Sequence, residues 1–290
     1  MLIQGDARHI GLKDRSVQTC ITSPPYWAQR NYGVAGQLGL EPTPAEYVAA
    51  MVEVFREVRR VLKDNGTLWL VLGDSYSHAG RGHRDAERWP KQAGNGHFPG
   101  RVKQNTGAKP KDLLMMPARV AQALRDDGWF LRSDIIWQKR NPFPEDVHDR
   151  PARSYEHLFL LSKSETYHYD AQAIMEPAVT GGLRNKRDVW TITSEPTRGV
   201  HLAAYPKKLI EPCILAGSRS GDLVLDPFIG SGTTATVAQV LGRRWVGLDL
   251  HPDHLAGVRR GTYERARLAR RFTYEEIREI MGCDDLAACA

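Results

Sequence analysis

The chain has 290 residues, 41% hydrophobic and 26% charged, with a net charge of +6. These are globular proportions, and the length suits one large domain or two small ones able to bury a core without covalent staples. Its four cysteines, Cys20, Cys213, Cys283 and Cys289, form no CxxC pair, which argues against a disulfide scaffold or a cysteine-based zinc site and fits a reducing compartment. No metal is expected. An acid stands at the sixth position and no apolar run reaches about 18 residues, so neither secretion nor membrane insertion is expected.

Met1 to Gln4 reads as a short apolar strand ending in Gly5-Asp6, and Val17 to Thr22 as a second, β-branched one. The latter stops at Ser23-Pro24-Pro25. Two prolines can neither continue a strand nor start a helix there, which predicts a sharp exposed loop. From Glu46 to Leu62 the apolar residues recur at helical spacing. Asp64-Asn65-Gly66 reads as a turn and Thr67 to Leu72 as a buried strand.

Next comes a long Gly- and Pro-rich stretch. Arg81 to Lys111 holds eight basic residues and two acids, a surplus equal to that of the whole chain. Concentrated positive charge suits a polyanion such as DNA or RNA, although a solvated loop would look the same. Leu113 to Asp126 reads as a helix, and Trp129 to Gln138 and Tyr155 to Ser162 as strands. Tyr167 to Tyr205 has no clear period.

The clearest local pattern follows: a strand Asp222 to Asp226, a turn Pro227 to Thr234, a helix Ala235 to Leu241 and a strand Arg244 to Asp249. This βαβ unit implies a doubly wound, mostly parallel sheet of Rossmann-like α/β class, with ligands at the carboxyl ends of its strands. From His254 onward the tail reads as helical and arginine-rich.

Gly230 and Gly232 allow close backbone approach, and the helix start offers N–H groups to an anion. No lysine follows them, so the turn is not a triphosphate loop. Asp226 at the strand end would repel phosphate, and Asp249 stands where ribose hydroxyls are usually gripped. A ligand with a ribose, a cationic part and a carboxylate fits best, and S-adenosylmethionine has all three. In the Ser-Pro-Pro loop, prolines leave two carbonyls without internal donors, Ser23 adds a hydroxyl, and Tyr26 and Trp27 add flat faces. Such a loop can hold a planar base by its NH₂ group.

Both motifs resemble those of the β-class DNA amino-methyltransferases. Asp226 to Thr234, DPFIGSGTT, is similar to that family's cofactor motif, and Thr22 to Tyr26, TSPPY, to its catalytic motif. Gly5-Asp6, Gly39 to Tyr47, Trp137 to Pro142 and His201 to Pro206 resemble further family segments, and the catalytic motif precedes the cofactor motif as the β class requires. The resemblance implies one catalytic domain over residues 1–290 with a circularly permuted motif order and DNA-contacting inserts at 78–111 and 165–200.

It also implies roles. Asp226 would face the methionine amine, with Phe228, Gly230, Ser231, Gly232 and Thr233 around the methionine end. Asp249 would bind the ribose and Asp6 the adenine amine, and His201 joins the cofactor set. Ser23 and the Pro24 carbonyl would accept from the target amine, with Pro25 completing the loop and Tyr26 stacking on a flipped base. Arg81, Arg84, Arg101, Lys103, Lys139, Arg140, Arg184 and Arg187 are the expected DNA contacts.

Serine at the head of the catalytic motif resembles the N4-cytosine branch, with N6-adenine methylation the alternative and a catalytically silent DNA-binding protein a distant one. Glu211-Pro212-Cys213 resembles the Pro-Cys of C5-cytosine enzymes only superficially, and Cys213 reads as a buried helix residue. Double-stranded DNA is the implied partner, in a cytoplasmic, nucleoid-associated setting. A cognate restriction endonuclease and a second copy of the chain are the protein partners the resemblance suggests.

Overall fold

The computed structural model describes residues 1–77, 106–142, 144–179, 181–195 and 204–265, with side chains described up to residue 258. Eight strands form the main sheet. They are β1 (Leu2–Gln4), β2 (Val17–Thr22), β3 (Leu62–Leu72), β4 (Phe130–Lys139), β5 (Tyr155–Ser162), β8 (Val189–Ile192), β9 (Leu223–Asp226) and β10 (Arg244–Asp249). Their spatial order is β1-β10-β9-β2-β3-β5-β4-β8. Every neighbouring pair is parallel except those that β5 makes with β3 and β4. A separate two-stranded ribbon joins β6 (Glu176–Pro177) to β7 (Leu183–Arg184).

The first described strand lies beside the last described one. The order of motifs in the sequence is therefore permuted, while their order in space is that of a continuous doubly wound sheet.

Helices cover both faces. On one side lie α1 (Pro44–Val61) and α2 (Met116–Asp126), which bury Met51, Phe55, Val58, Val120 and Leu124 against Cys20, Leu68, Leu70 and Leu225. On the other side lie α3 (Lys207–Gly217) and α4 (Thr233–Val240), whose Leu209, Ile210, Cys213, Ile214 and Val237 pack on Ile21, Trp69, Leu158 and Val224. Burial on both faces explains why β2 is apolar or β-branched throughout all but one position. The start of α1 is fixed by a capping box between Thr43 and Glu46, with Pro44 in the first turn. The last described helix, α5 (Pro252–Arg265), packs on β1 and β10. None of the described helices is long and apolar enough to cross a membrane.

Three sequence expectations need correction. Asp64-Asn65-Gly66 is not a turn between elements. The strand already begins at Leu62, and residues 63–66 form an irregularity opposite Gln18 before the register resumes at Thr19 and Thr67. The Ser-Pro-Pro loop is not exposed, since Pro24 and Trp27 are buried. The stretch from Tyr167 to Tyr205 is not wholly aperiodic, because β8 inside it extends the main sheet along β4.

Candidate active site

Because β1, β10, β9, β2 and β3 run in parallel, their carboxyl ends share one edge of the sheet. The antiparallel β5 begins at that same edge, where β4 ends, and Glu156 stands opposite Trp137. A cavity of about 650 Å³ opens there, within the roughly 300–1,000 Å³ of small-molecule sites. Its walls include Gly5-Asp6, Ser23 to Tyr26, Lys139, Glu156, Phe228 to Ser231, Thr233 and Asp249. Stretches far apart in sequence are thus brought into one site by strand order.

Asp249 ends β10 as a rigid acceptor. Its carboxylate takes the Gly230 N–H at 3.1 Å, the His251 N–H at 2.8 Å and the His254 ring nitrogen at 3.2 Å. Burial would raise its carboxyl, but these donors outweigh it and hold it below the ordinary aspartate value. Asp6 is held at the end of β1 by Arg8, whose Nη2 donates at 2.5 Å and whose backbone N–H donates at 2.9 Å. Its carboxyl too ends below its ordinary value, the hydrogen bonds from Arg8 prevailing over burial.

The glycine turn is built more tightly than a ligand cradle alone requires. The Gly232 N–H donates to the Ile229 carbonyl at 2.8 Å, so with Phe228, Ile229 and Gly230 four of its N–H groups are committed within the fold. Gly232 has φ +81°, and a Cβ there would meet Val258 Cγ1 at 2.8 Å. It is a packing glycine under α5 and does not line the cavity. Ser231 and Thr233 do line it, their hydroxyls 3.2 Å apart at the start of α4.

Asp226 departs most from its expected place. It is 1% exposed and lies behind the cavity wall. Thr22 Oγ1 at 2.7 Å and the Phe228 N–H at 3.1 Å donate to one oxygen; Thr234 Oγ1 at 2.7 Å and the Tyr205 hydroxyl at 2.9 Å donate to the other. The carboxylate therefore ties β2, β9, α4 and the segment before α3 together rather than facing a ligand amine. Its burial raises its pKa against the pull of these four donors. The three hydroxyl donors, Thr22, Thr234 and Tyr205, all lie inside segments the sequence singles out, but nothing in those segments marks them as partners of Asp226.

In the Ser-Pro-Pro loop, one of the two expected open carbonyls is taken. Tyr47 of α1 donates to the Pro25 carbonyl at 3.0 Å. Trp27 anchors the loop through the Glu41 carbonyl at 2.9 Å. Gly39, at φ +92°, lets the following segment pass within 3.0 Å of the Tyr26 carbonyl, measured from an added Cβ. Ser23 and Pro24 remain at the cavity wall. Ser23 donates to the Tyr26 hydroxyl at 3.2 Å, and Tyr26 in turn donates to Glu156 at 2.8 Å.

The expected DNA contacts divide. Lys139 does not project to the surface but pairs with Glu156 inside the cavity mouth. Arg184 pairs with Glu176 at 2.9 Å across the β6–β7 ribbon. Arg140 and Arg187 are exposed. Lys109 and Lys111, at the end of the basic stretch, pair with Asp112 at 3.7 Å and Asp149 at 2.5 Å. Arg81, Arg84, Arg101, Lys103 and His201 lie outside the described residues.

A doubly wound sheet with an acid at the end of β10, a Gly-rich turn and a Ser-Pro-Pro-Tyr loop on one cavity fits an S-adenosylmethionine-dependent methyltransferase of amino groups. The N6/N4 DNA methylase family model matches residues 17–259, and the chain belongs to that family.

The chain is 49% identical over 259 residues to the Type II methyltransferase M.XycI of Xanthomonas campestris pv. cyanopsidis, covering 88% of this chain and 84% of that one. Its fold is similar to that of the PvuII DNA methyltransferase (cytosine-N4-specific), at TM-score 0.66 and 20% identity, covering 97% of this chain and 90% of that one. A Thermus thermophilus protein described as a putative DNA modification methylase and complexed with S-adenosyl-L-methionine is similar at TM-score 0.63 and 24% identity, covering 93% of this chain and 95% of that one.

Proposed function

We propose that the protein methylates the N4 amine of cytosine in duplex DNA, as the modification enzyme of a restriction-modification system. The observation that carries this reading is that Ser23 and Pro24, which offer a hydroxyl and a carbonyl as acceptors, line the cavity that also holds Asp249 and Asp6. An aromatic NH₂ has two hydrogens and a delocalised lone pair. Accepting both hydrogens at fixed positions pulls the lone pair out of the ring's π system and aims it at an electrophile. Ser23 gives its own proton to Tyr26, which leaves its oxygen as an acceptor toward the cavity.

S-adenosylmethionine supplies a methyl group on a sulfonium, which the amine nitrogen attacks directly and in line. The residues present fit it. Asp249 would hold the ribose hydroxyls and Asp6 the adenine side, with Phe228, Ser231 and Thr233 along the methionine end. Asp226 and Gly232 shape that wall from behind. The target cytosine must leave the duplex to reach Ser23, and Tyr26 offers it a ring fixed at the hydroxyl. Exposed Arg140 and Arg187, with Arg81, Arg84, Arg101 and Lys103 of the basic stretch, would contact the DNA.

Serine instead of a carboxylate or amide at the head of the catalytic motif supports cytosine over adenine. Kinship with Type II methyltransferases such as M.XycI supports the restriction-modification setting. Modified-base sequencing of genomic DNA from cells expressing the protein tests this reading. N4-methylcytosine at one recurring site is expected, and N6-methyladenine at such a site would overturn the base assignment.

A further inference from the structure

We propose that Glu156 is the terminal proton acceptor of the reaction, reached from the target amine through Ser23 and Tyr26. The proposal rests on amine methylation as read above. It begins from a directed chain of hydrogen bonds that holding the cofactor does not require. Ser23 Oγ donates to the Tyr26 hydroxyl at 3.2 Å, and that hydroxyl donates to Glu156 Oε2 at 2.8 Å. The other carboxylate oxygen, Oε1, is held by Lys139, whose ammonium also sits 4.7 Å from the centre of the Trp137 ring. All four polar side chains line the same cavity.

The contact is built into the backbone. Gly73 follows β3, and a Cβ there would stand 2.7 Å from Tyr26 Cε2 and 3.4 Å from the Glu156 carboxyl carbon. Any larger residue would push the phenol away from the acid. Glu156 reaches this point because β5 is antiparallel and starts at the edge where β2 and β3 end.

The chemistry requires such a route. When the amine nitrogen bonds the methyl carbon, the carbon–sulfur bond breaks and its electron pair stays on sulfur. The nitrogen then carries one hydrogen too many. A serine hydroxyl is a poor final base, whereas it can accept one proton while passing on its own. In the relay the amine proton moves to Ser23 Oγ, the Ser23 proton to the Tyr26 oxygen, and the Tyr26 proton to Glu156 Oε2. The neutral N-methyl product and a protonated Glu156 result, with Ser23 and Tyr26 restored. Tyr26 suits the middle position. Burial, with the Glu156 charge adding to it, pushes its phenol well above the ordinary value, so it stays a neutral donor and passes a proton without ionising.

The test uses the full chain, a duplex carrying its recognised site, and single-turnover methyl transfer. Glu156→Gln keeps the acceptor for Tyr26 but removes the base, and Tyr26→Phe keeps the ring and cuts the chain. Each should slow transfer about 100-fold, the scale of general acid–base catalysis. Binding of S-adenosylmethionine by calorimetry and of DNA by fluorescence anisotropy should stay within about twofold of wild type. Effects of one chain of groups do not multiply, so the double variant should match either single one.

Full-rate transfer by Glu156→Gln, or losses that multiply in the double variant, would overturn the relay. Melting curves identify a Glu156→Gln protein that fails to fold. Tyr26→Phe, which leaves the Lys139 pair intact, then decides: loss of rate at unchanged affinities supports the relay, and full rate overturns it. A folded wild type that transfers no methyl to DNA would instead overturn the function on which the relay rests.

Discussion

Replacing Asp226 with alanine separates two roles that this carboxylate could play. A ligand-facing acid would be lost at little cost to stability and at a large cost to cofactor affinity. The buried hub predicts the reverse. Four donors lose their acceptor: the hydroxyls of Thr22, Thr234 and Tyr205 and the Phe228 N–H. Tyr205 can donate to Thr234 Oγ1, 2.5 Å away, and Thr234 can donate to the Ile21 carbonyl at 3.5 Å. That leaves one hydroxyl, which can turn, and one backbone N–H, which cannot. At about 1–3 kcal/mol for each orphaned group, Asp226→Ala should lose about 2–4 kcal/mol. Urea unfolding should show this as a lower midpoint at an unchanged slope. Near-wild-type unfolding combined with a collapse of S-adenosylmethionine affinity in calorimetry would refute the hub and restore the ligand-facing role.

Asp249→Ala should weaken S-adenosylmethionine binding by roughly 1.5–3 kcal/mol, the scale of charged hydrogen bonds, with calorimetry as the check. Gly232→Ala must place a side chain at φ +81° and 2.8 Å from Val258, and should cost about 1–3 kcal/mol in thermal unfolding. The Asp6 and Asp249 carboxyls lie below the ordinary aspartate value of 3.8 in the folded chain. Their stabilisation is therefore complete above that pH and is lost as the pH falls through their folded values. The share of the acid loss due to these two groups should set in only at about pH 4, and the fall in unfolding midpoint below that pH should be smaller in Asp249→Asn. Neutralising Arg81, Arg84, Arg101 and Lys103 should weaken binding to all DNA and flatten its dependence on log[salt] by about 0.9 per lost phosphate contact. Changing Arg187 should instead blur the recognised sequence; an altered sequence choice with an unchanged salt slope in the first set would reverse this division.

Much of the fold was legible because it is encoded locally. β5 and β10 occupy the residues their apolar runs predict, and α1 starts within two residues of its periodic segment because Thr43, Pro44 and Glu46 cap it. Asp64-Asn65-Gly66 misled because its composition is that of a turn, whereas pairing with Gln18 on one side and with residues after β5 on the other keeps it in the strand. β8 has four residues and takes its place from β4, which no window of sequence contains.

Contiguous motifs mark the segments Ser23 to Tyr26 and Phe228 to Ser231, which the structure brings to the cavity wall. The site was not legible where a group acts across the sheet. Glu156 is a lone acid on an apolar strand, 130 residues from Tyr26. Asp226 sits inside a recognised motif, yet its partners come from residues 22, 205 and 234, so only the packed structure distinguishes a scaffold from a ligand contact.

The central claim is that this cavity places a cytosine amine against Ser23 and methylates it. Duplex DNA should be incubated with the protein and S-adenosylmethionine bearing a labelled methyl, digested to nucleosides and resolved by mass spectrometry. The account predicts label in N4-methyldeoxycytidine, absent when Ser23→Ala replaces the wild type. Label in N6-methyldeoxyadenosine or C5-methyldeoxycytidine, or undiminished label with Ser23→Ala, would contradict it.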